Sequence, residues 1–302
     1  MAMGAAAGAG LLAPQLAEAG AAAQRPMIRR AIPHNRSETI PVVGVGTSIV
    51  FNTGLDPAAR AGPTAVVKAL VAGGATLIDT APSYQNAEAV VGAIVAESNL
   101  RSRVFISTKL ERFRPGEEEA ETKELLVRLK TDKVDLLHLH NVRAADQSMA
   151  GVNALKAKGL CRYTGVTTTF ERDYPACEAI VKREKPDFVE LDYAINNREA
   201  EDRLLPACID AGSAVLVALP FGRGRVFRNA LDKPLPPLAK ELECATWAQF
   251  FLKWILAHPA ITAVIPGTSS ADHMIDNMDA GRGRMPDAKE RAEMQKIMEA
   301  FA

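Results

Sequence analysis

Between Pro41 and Pro266, short apolar runs rich in β-branched residues alternate with longer stretches in which apolar side chains recur every three or four positions. The runs occupy residues 42–47, 76–80, 104–109, 134–140, 163–167, 188–193, 214–219 and 261–266. Each is bounded by Gly, Pro, Asp or Asn, and is apolar throughout rather than alternating, which predicts strands covered on both faces. The intervening stretches carry helical spacing, as in Ala65-Val66-Ala69-Leu70 and Glu124-Leu125-Arg128-Leu129. Gly73-Gly74 and Gly159 follow such stretches where helix C-terminal glycines belong. Strands alternating with helices predict a parallel α/β sheet, and eight strands close a (β/α)8 TIM barrel. After a Pro-rich loop at 233–237, the pattern predicts one long helix over about 238–257, and residues 286–302 read as a terminal helix packed on the outside.

The first 25 residues differ in kind. They are nearly all Ala, Gly and Leu, interrupted by Pro14 and Glu18, with a small-residue stretch Ala21-Ala22-Ala23. This looks like the apolar and cleavage portions of an export signal without its basic start, and equally like an unstructured tail. The first reading implies a periplasmic or otherwise exported protein, the second a cytoplasmic one. The segment is too rich in Gly and Ala for a membrane span. Fold reasoning therefore begins near Pro26, with 26–302 as a single domain.

Composition adds exclusions. Lys plus Arg equals Asp plus Glu at 36 each, so the formal charge is zero. With no basic run, nucleic acid and anionic membrane are poor partners, and a small-molecule ligand is expected on a monomer or weak homo-oligomer. Cys161, Cys177, Cys208 and Cys244 form no CxxC pair or metal ribbon and read as small buried apolar residues.

In such a barrel the site lies at the C-terminal strand ends. Asp79, Lys109 and His140 end three consecutive runs, one βα unit apart, and Tyr84 follows Asp79 on the same loop. Alone, each has an ordinary reading: a helix cap, a solvated cation, a hydrogen-bonded core histidine. Together they offer an acid with its modulators. A phenol near pKa 10 holds its proton at neutral pH, and a nearby ammonium is expected to lower that value. Asp79 would keep Lys109 charged, and His140 would orient a carbonyl. His138, two positions earlier in the strand, is expected to be deeper and structural. The pair His138 and His140 also permits a metal-dependent hydrolase, which would need further ligands. Lys109 permits a Schiff-base aldolase.

The segments Ile78-Asp79-Thr80-Ala81-Pro82-Ser83-Tyr84, Ser107-Thr108-Lys109 and Asp135-Leu136-Leu137-His138-Leu139-His140 resemble the signatures of the aldo/keto reductase superfamily. Gly46-Thr47, Pro220-Phe221-Gly222-Arg223-Gly224 and Ile265-Pro266-Gly267-Thr268-Ser269 with Asn277 resemble its cofactor site. The resemblance runs in order over about residues 40–280. It implies NADPH-linked carbonyl reduction, with NADH also possible, by a tetrad of Asp79, Tyr84, Lys109 and His140 and without a metal. It further implies cofactor contacts at Gly46, Thr47, Asp79, Thr167, Thr168, Glu190, Leu219, Phe221, Gly222, Gly267, Thr268, His273 and Asn277. A cofactor-binding regulatory barrel with little turnover is the alternative, because several positions depart from the family's pattern. Thr167-Thr168 replace Ser-Asn, Glu190 stands where an amide is usual, and Ala218-Leu219 replace Tyr-Ser under the nicotinamide. His273 replaces a basic residue, Gly267 a Lys, and Asn141 a frequent Trp. Histidine is only partly charged at neutral pH, which weakens the implied preference for the 2′-phosphate. Substrate choice is expected from loops around Phe51, 112–114, 141–143 and Phe227.

Overall fold

The structure, a computed structural model, describes residues 25–112, 116–228 and 230–301. The signal-like reading of the first 24 residues therefore lies outside the described residues, as do positions 113 and 114 of one expected substrate loop. Among the described residues no helix is long and apolar enough to cross a membrane.

The chain opens with an antiparallel hairpin, β1 (Arg29–Ile32) and β2 (Asn35–Pro41). Eight parallel strands follow: β3 (Val45–Gly46), β4 (Leu77–Asp79), β5 (Phe105–Leu110), β6 (Val134–Leu139), β7 (Cys161–Thr168), β8 (Phe188–Asp192), β9 (Ala214–Ala218) and β10 (Ile261–Val264). They pair in sequence order. Closure between first and last comes from three backbone bonds: Gly44 N–H to Val264 O at 2.8 Å, Val264 N–H to Val42 O at 2.9 Å and Gly46 N–H to Pro266 O at 3.2 Å. Every apolar run thus becomes a barrel strand, in the predicted order.

Strand parity divides the core in two. Ile78, Ile106, Leu137, Val189, Val217 and Val264 face the surrounding helices. Leu77, Phe105, Leu136, Phe188 and Leu216, one position off in their strands, meet Tyr163 inside the barrel. Successive residues of a strand point to opposite faces, so two positions further along the inward row is occupied by Asp79, Ser107, His138, Gly165 and Glu190. The lower interior is therefore apolar and the layer above it polar. The hairpin seals the bottom: Ile32 and Ile40 are buried against the inner cluster. Asn35 Nδ2 donates to the Tyr163 hydroxyl at 2.8 Å.

The expected helix over 238–257 is two helices, Pro237–Glu241 and Trp247–Leu256. Glu243 between them is left-handed at φ 56°. Thr246 then caps the second helix by accepting from the Gln249 N–H, which starts a new helix rather than continuing the old one. Gly74 and Gly159 adopt the left-handed conformation that ends the helices before them. The terminal helix, Ala288–Glu299, begins with a capping box from Asp287 and Glu290. It lies against the barrel's outer shell, where the Trp254 indole N–H donates to Arg291 O. All four cysteines are free and buried.

Gly165 is where packing and site meet. A Cβ there would stand 2.3 Å from His138 Nδ1 and 2.7 Å from Phe188 O. Replacing a strand glycine with Ala gains about 0.5–1 kcal/mol of backbone entropy, but overpacking a filled core costs about 1–3 kcal/mol. With a backbone oxygen in the way, the cost wins. Gly165→Ala is expected to lower the denaturation midpoint, and a midpoint at or above wild type would show that the His138 ring can retreat.

Candidate active site

The polar layer centres on Lys109, whose side chain has no exposure to solvent. Its ammonium donates to Asp79 Oδ2 at 2.6 Å and to Thr80 O at 3.0 Å, and Glu190 Oε2 lies 3.3 Å away. Asp79 Oδ1 accepts from the Ser107 hydroxyl at 2.7 Å. Burial works against the charged lysine, but Asp79 and then Glu190 outweigh it, and Lys109 is held above its ordinary pKa. A lysine locked as an ammonium, with its donors committed and no exposure, is not a Schiff-base nucleophile.

Tyr84 ends a short turn, Pro82–Tyr84, that folds back over the strand ends. Lys109 Nζ lies 5.4 Å from its ring centroid. The expectation of a lowered phenol pKa is not met: burial pushes it up, Lys109 opposes this, and Asp79, Glu190 and Glu111 add to the rise. Burial of the phenol outweighs the pull of the ammonium. Tyr84 is thus a fully protonated phenol at neutral pH.

His140, the first residue past β6, is buried, and its ring meets that of Tyr84 edge-on with centroids 6.1 Å apart. Its Nδ1 lies 2.6 Å from Glu111 Oε1. His138 lies deeper, as expected, fully buried, with neither ring nitrogen hydrogen-bonded and Glu190 Oε2 3.8 Å from Nε2. Burial, then the charge of Lys109, holds it far below the ordinary histidine pKa, so it is neutral. Glu190 is pushed up to about 8, first by burial and then by Asp79, against the pull of Lys109. Among the described residues no group of three or more His, Cys, Asp or Glu side chains could hold a metal ion.

A cavity of about 620 Å³ opens above these groups. Of the residues expected from the sequence, Asp79, Tyr84, His140, Gly46, Thr47, Glu190, Leu219, Phe221 and Gly267 line it. Lys109 lies beneath its floor. Thr167 and Thr168 are buried in β7, and the Thr167 hydroxyl accepts from the Asn141 N–H. Gly222 turns against Asn196. Thr268 and Asn277 are buried and His273 is exposed, at and after the start of the helix Ala271–Asp279. Phe51, expected at the substrate mouth, is fully buried in the outer core instead. Phe227 stacks behind Phe221 with centroids 4.9 Å apart. Ile49 and Phe170 line the mouth, and sequence reasoning missed both.

The cavity fits an elongated amide- and phosphate-bearing cofactor on two counts. Thr47 Oγ1, on a cavity-lining residue, is buried with no hydrogen-bond partner, a state that costs free energy until a ligand supplies the bond. At Gly46 and Gly267 the first and last strands pack tightly on each other, a Cβ at Gly46 standing 2.8 Å from Ile265 O. Beyond Gly267, the helix Ala271–Asp279 presents an N-terminus capped by Ser270, suited to an anion. The mouth is also strained. Ile49, Asn141, Leu219 and Arg223 all have positive φ, and for a β-branched or bulky side chain that is a costly backbone.

Comparison with known proteins agrees with this geometry. The sequence model of the aldo/keto reductase family matches residues 42–299. Methylglyoxal reductase YeaE of Escherichia coli is 29% identical over 260 residues, covering 83% of this chain and 89% of the relative. An aldo-keto reductase from Klebsiella pneumoniae, solved in complex with NADPH, superposes with a TM-score of 0.72 at 25% identity, covering 90% of this chain and 95% of that one. An aldo-keto reductase from Bacillus halodurans in its holo form gives a TM-score of 0.71 at 25% identity, over 90% and 96% of the two chains. From the closing strand to the terminal helix, with its polar layer at the strand ends, this chain belongs to the aldo/keto reductase family.

Proposed function

We propose that this oxidoreductase reduces aldehyde or ketone carbonyls to alcohols, with Tyr84 as the proton donor and a nicotinamide dinucleotide as the reductant. The observation that carries this reading is the buried Asp79–Lys109 pair set beneath a protonated phenol, with an imidazole beside it at the floor of the cavity. The bound cofactor supplies the hydride; the chain does the rest. Gly46, Thr47, Glu190, Leu219, Phe221 and Gly267 hold it along the cavity, and Thr268, His273 and Asn277 meet its adenine end. The NADPH bound to the Klebsiella relative and the carbonyl substrate in the Escherichia coli relative's name support the same assignment.

Tyr84 gives its hydroxyl proton to the carbonyl oxygen as negative charge develops there. Lys109 makes that transfer easier by stabilising the phenolate left behind, an effect that grows as the proton departs. Asp79 and Ser107 keep the ammonium aimed. His140 orients the carbonyl oxygen toward the phenol. A positioned acid of this type contributes about 10²–10⁴-fold.

Tyr84→Phe is expected to leave NADPH binding intact, followed by fluorescence titration, and to lower kcat at least about 100-fold. Near-normal turnover would remove Tyr84 from the reaction.

Glu190 should mark stability with a pH signature. Its folded pKa of about 8 lies above the ordinary 4.5. The folded state therefore keeps a proton that the unfolded chain loses through this window, and stability falls as pH rises from about 4.5 to about 8, then levels. Glu190→Gln removes this slope. Its melting advantage over wild type should widen between about pH 5 and about pH 8, and parallel profiles would show that Glu190 is ionised throughout.

Near the expected adenine end, Arg282 is spent on Asp279 at 3.2 Å and Gly73 O at 2.7 Å. His273→Arg is therefore expected to tighten NADPH about 5- to 30-fold while leaving NADH unchanged. Equal gains for both cofactors in equilibrium titration would place the 2′-phosphate elsewhere.

A further inference from the structure

We infer that Glu111 is a positioning residue that ties His140 and the Tyr84 turn into one hydrogen-bonded unit and holds a hydrogen on the imidazole's Nδ1, which leaves Nε2 an acceptor in the neutral ring and a donor to a carbonyl oxygen only in the imidazolium. The inference rests on the functional reading above, and it names a group that reading does not use.

Glu111 immediately follows β5, two positions beyond Lys109, so it continues the inward row of that strand. One of its oxygens, Oε1, serves two partners on different loops. It lies 2.6 Å from His140 Nδ1, and it accepts from the Ser83 N–H at 3.3 Å. Ser83 directly precedes Tyr84, so a single carboxylate oxygen joins the two groups that face the carbonyl. The joint is anchored from behind. The buried carboxylate of Glu121, on the helix Glu118–Leu129, accepts from the Glu111 N–H at 2.7 Å and the Arg112 N–H at 3.2 Å. The His140 N–H in turn donates to Leu110 O at 3.0 Å. Backbone and side chain of the strand end are thus both fixed before any ligand arrives.

The chemistry of the contact sets the tautomer. An ionised carboxylate only accepts, so the nitrogen facing it must carry hydrogen. Burial raises the Glu111 pKa, but the hydrogen bonds from His140 and Ser83 outweigh it and hold the carboxyl below its usual range, so it remains an acceptor at neutral pH. The other groups around His140 do not compete for Nδ1. Lys109 is spent on Asp79, Tyr84 meets the ring edge-on, His138 is neutral and deeper, and Arg143 sits across the neighbouring hollow. Arg112, beside Glu111 in sequence, is paired with Glu124 at 2.7 Å. A partner that fixes one ring nitrogen of a histidine decides which group the other nitrogen can serve.

The test compares wild type, Glu111→Ala and Glu111→Gln by three readouts: nuclear magnetic resonance of the His140 imidazole N–H, kcat for reduction of an aldehyde such as methylglyoxal, and NADPH affinity by fluorescence. Wild type should show a solvent-protected Nδ1–H signal, assigned by its loss in His140→Gln. Glu111→Ala should abolish that protection and lower kcat about 10- to 100-fold at unchanged NADPH affinity. Glu111→Gln, which keeps an acceptor oxygen, should retain the signal and recover part of kcat. Wild-type kcat in Glu111→Ala, or a protected Nδ1–H that survives there, would overturn the inference. So would equal losses in both variants accompanied by weaker NADPH binding and a lower melting point, which would make Glu111 a purely structural tie. Were wild type to reduce no carbonyl at all, the functional reading would fail while the imidazole signal still decided the Glu111–His140 pair.

Discussion

An ammonium cut off from water has to be neutralised where it sits, and the interior of this barrel is arranged around that requirement at Lys109. Moving an unpaired charge into a low-dielectric interior costs several kcal/mol even after relaxation, and removing one partner of a buried pair costs about 3–5 kcal/mol. Asp79 from the neighbouring strand meets the requirement at 2.6 Å, with Thr80 O and Ser107 completing the bonds. None of these groups could be supplied by a loop with freedom to move. They stand on adjacent strands whose register is fixed by the ladder, and the apolar layer below keeps water from rescuing a misplaced charge. The geometry around Tyr84 follows from this: the turn from Pro82 to Tyr84 closes over a centre that is already satisfied.

A second carboxyl beside one lysine changes the balance. Two ionised acids against one ammonium would leave a net negative charge under the phenol, and Glu190 avoids this by keeping its proton near neutrality. A protonated carboxyl offers one donor and one acceptor, the same pair that a side-chain amide offers. The residue that departs from the family's usual amide therefore preserves its hydrogen-bonding character while adding a group that can titrate. The neutral His138, with Nε2 3.8 Å from Glu190 Oε2, belongs to the same compromise.

Much of this was legible in the sequence because parallel strands buried on both faces write themselves as uninterrupted apolar runs. Their polar terminal residues, Asp79, Lys109 and His140, could be read as a rim without any structure. The hairpin was not legible, since only Ile32, Ile40 and Pro41 of its strands are buried and most of the remaining residues are polar. The break after residues 237–241 depends on a left-handed Glu243, a conformation that helical periodicity does not register. The sequence also counted one ammonium near Tyr84 but not the burial of the phenol, which with the neighbouring carboxylates reverses the direction of the shift. Glu111 was not singled out, although its inward parity after Lys109 was a usable signal. Phe51 was placed at the mouth from its loop position, while its burial is a property of packing that loop position does not reveal.

The hairpin floor has a bearing on traffic. Ile32 and Ile40 are buried in the lower end of the barrel, while the cavity opens at the other end, above the polar layer. Access to the polar layer is thus shaped by a few apolar residues at the far end of the molecule, well away from the groups that line the cavity.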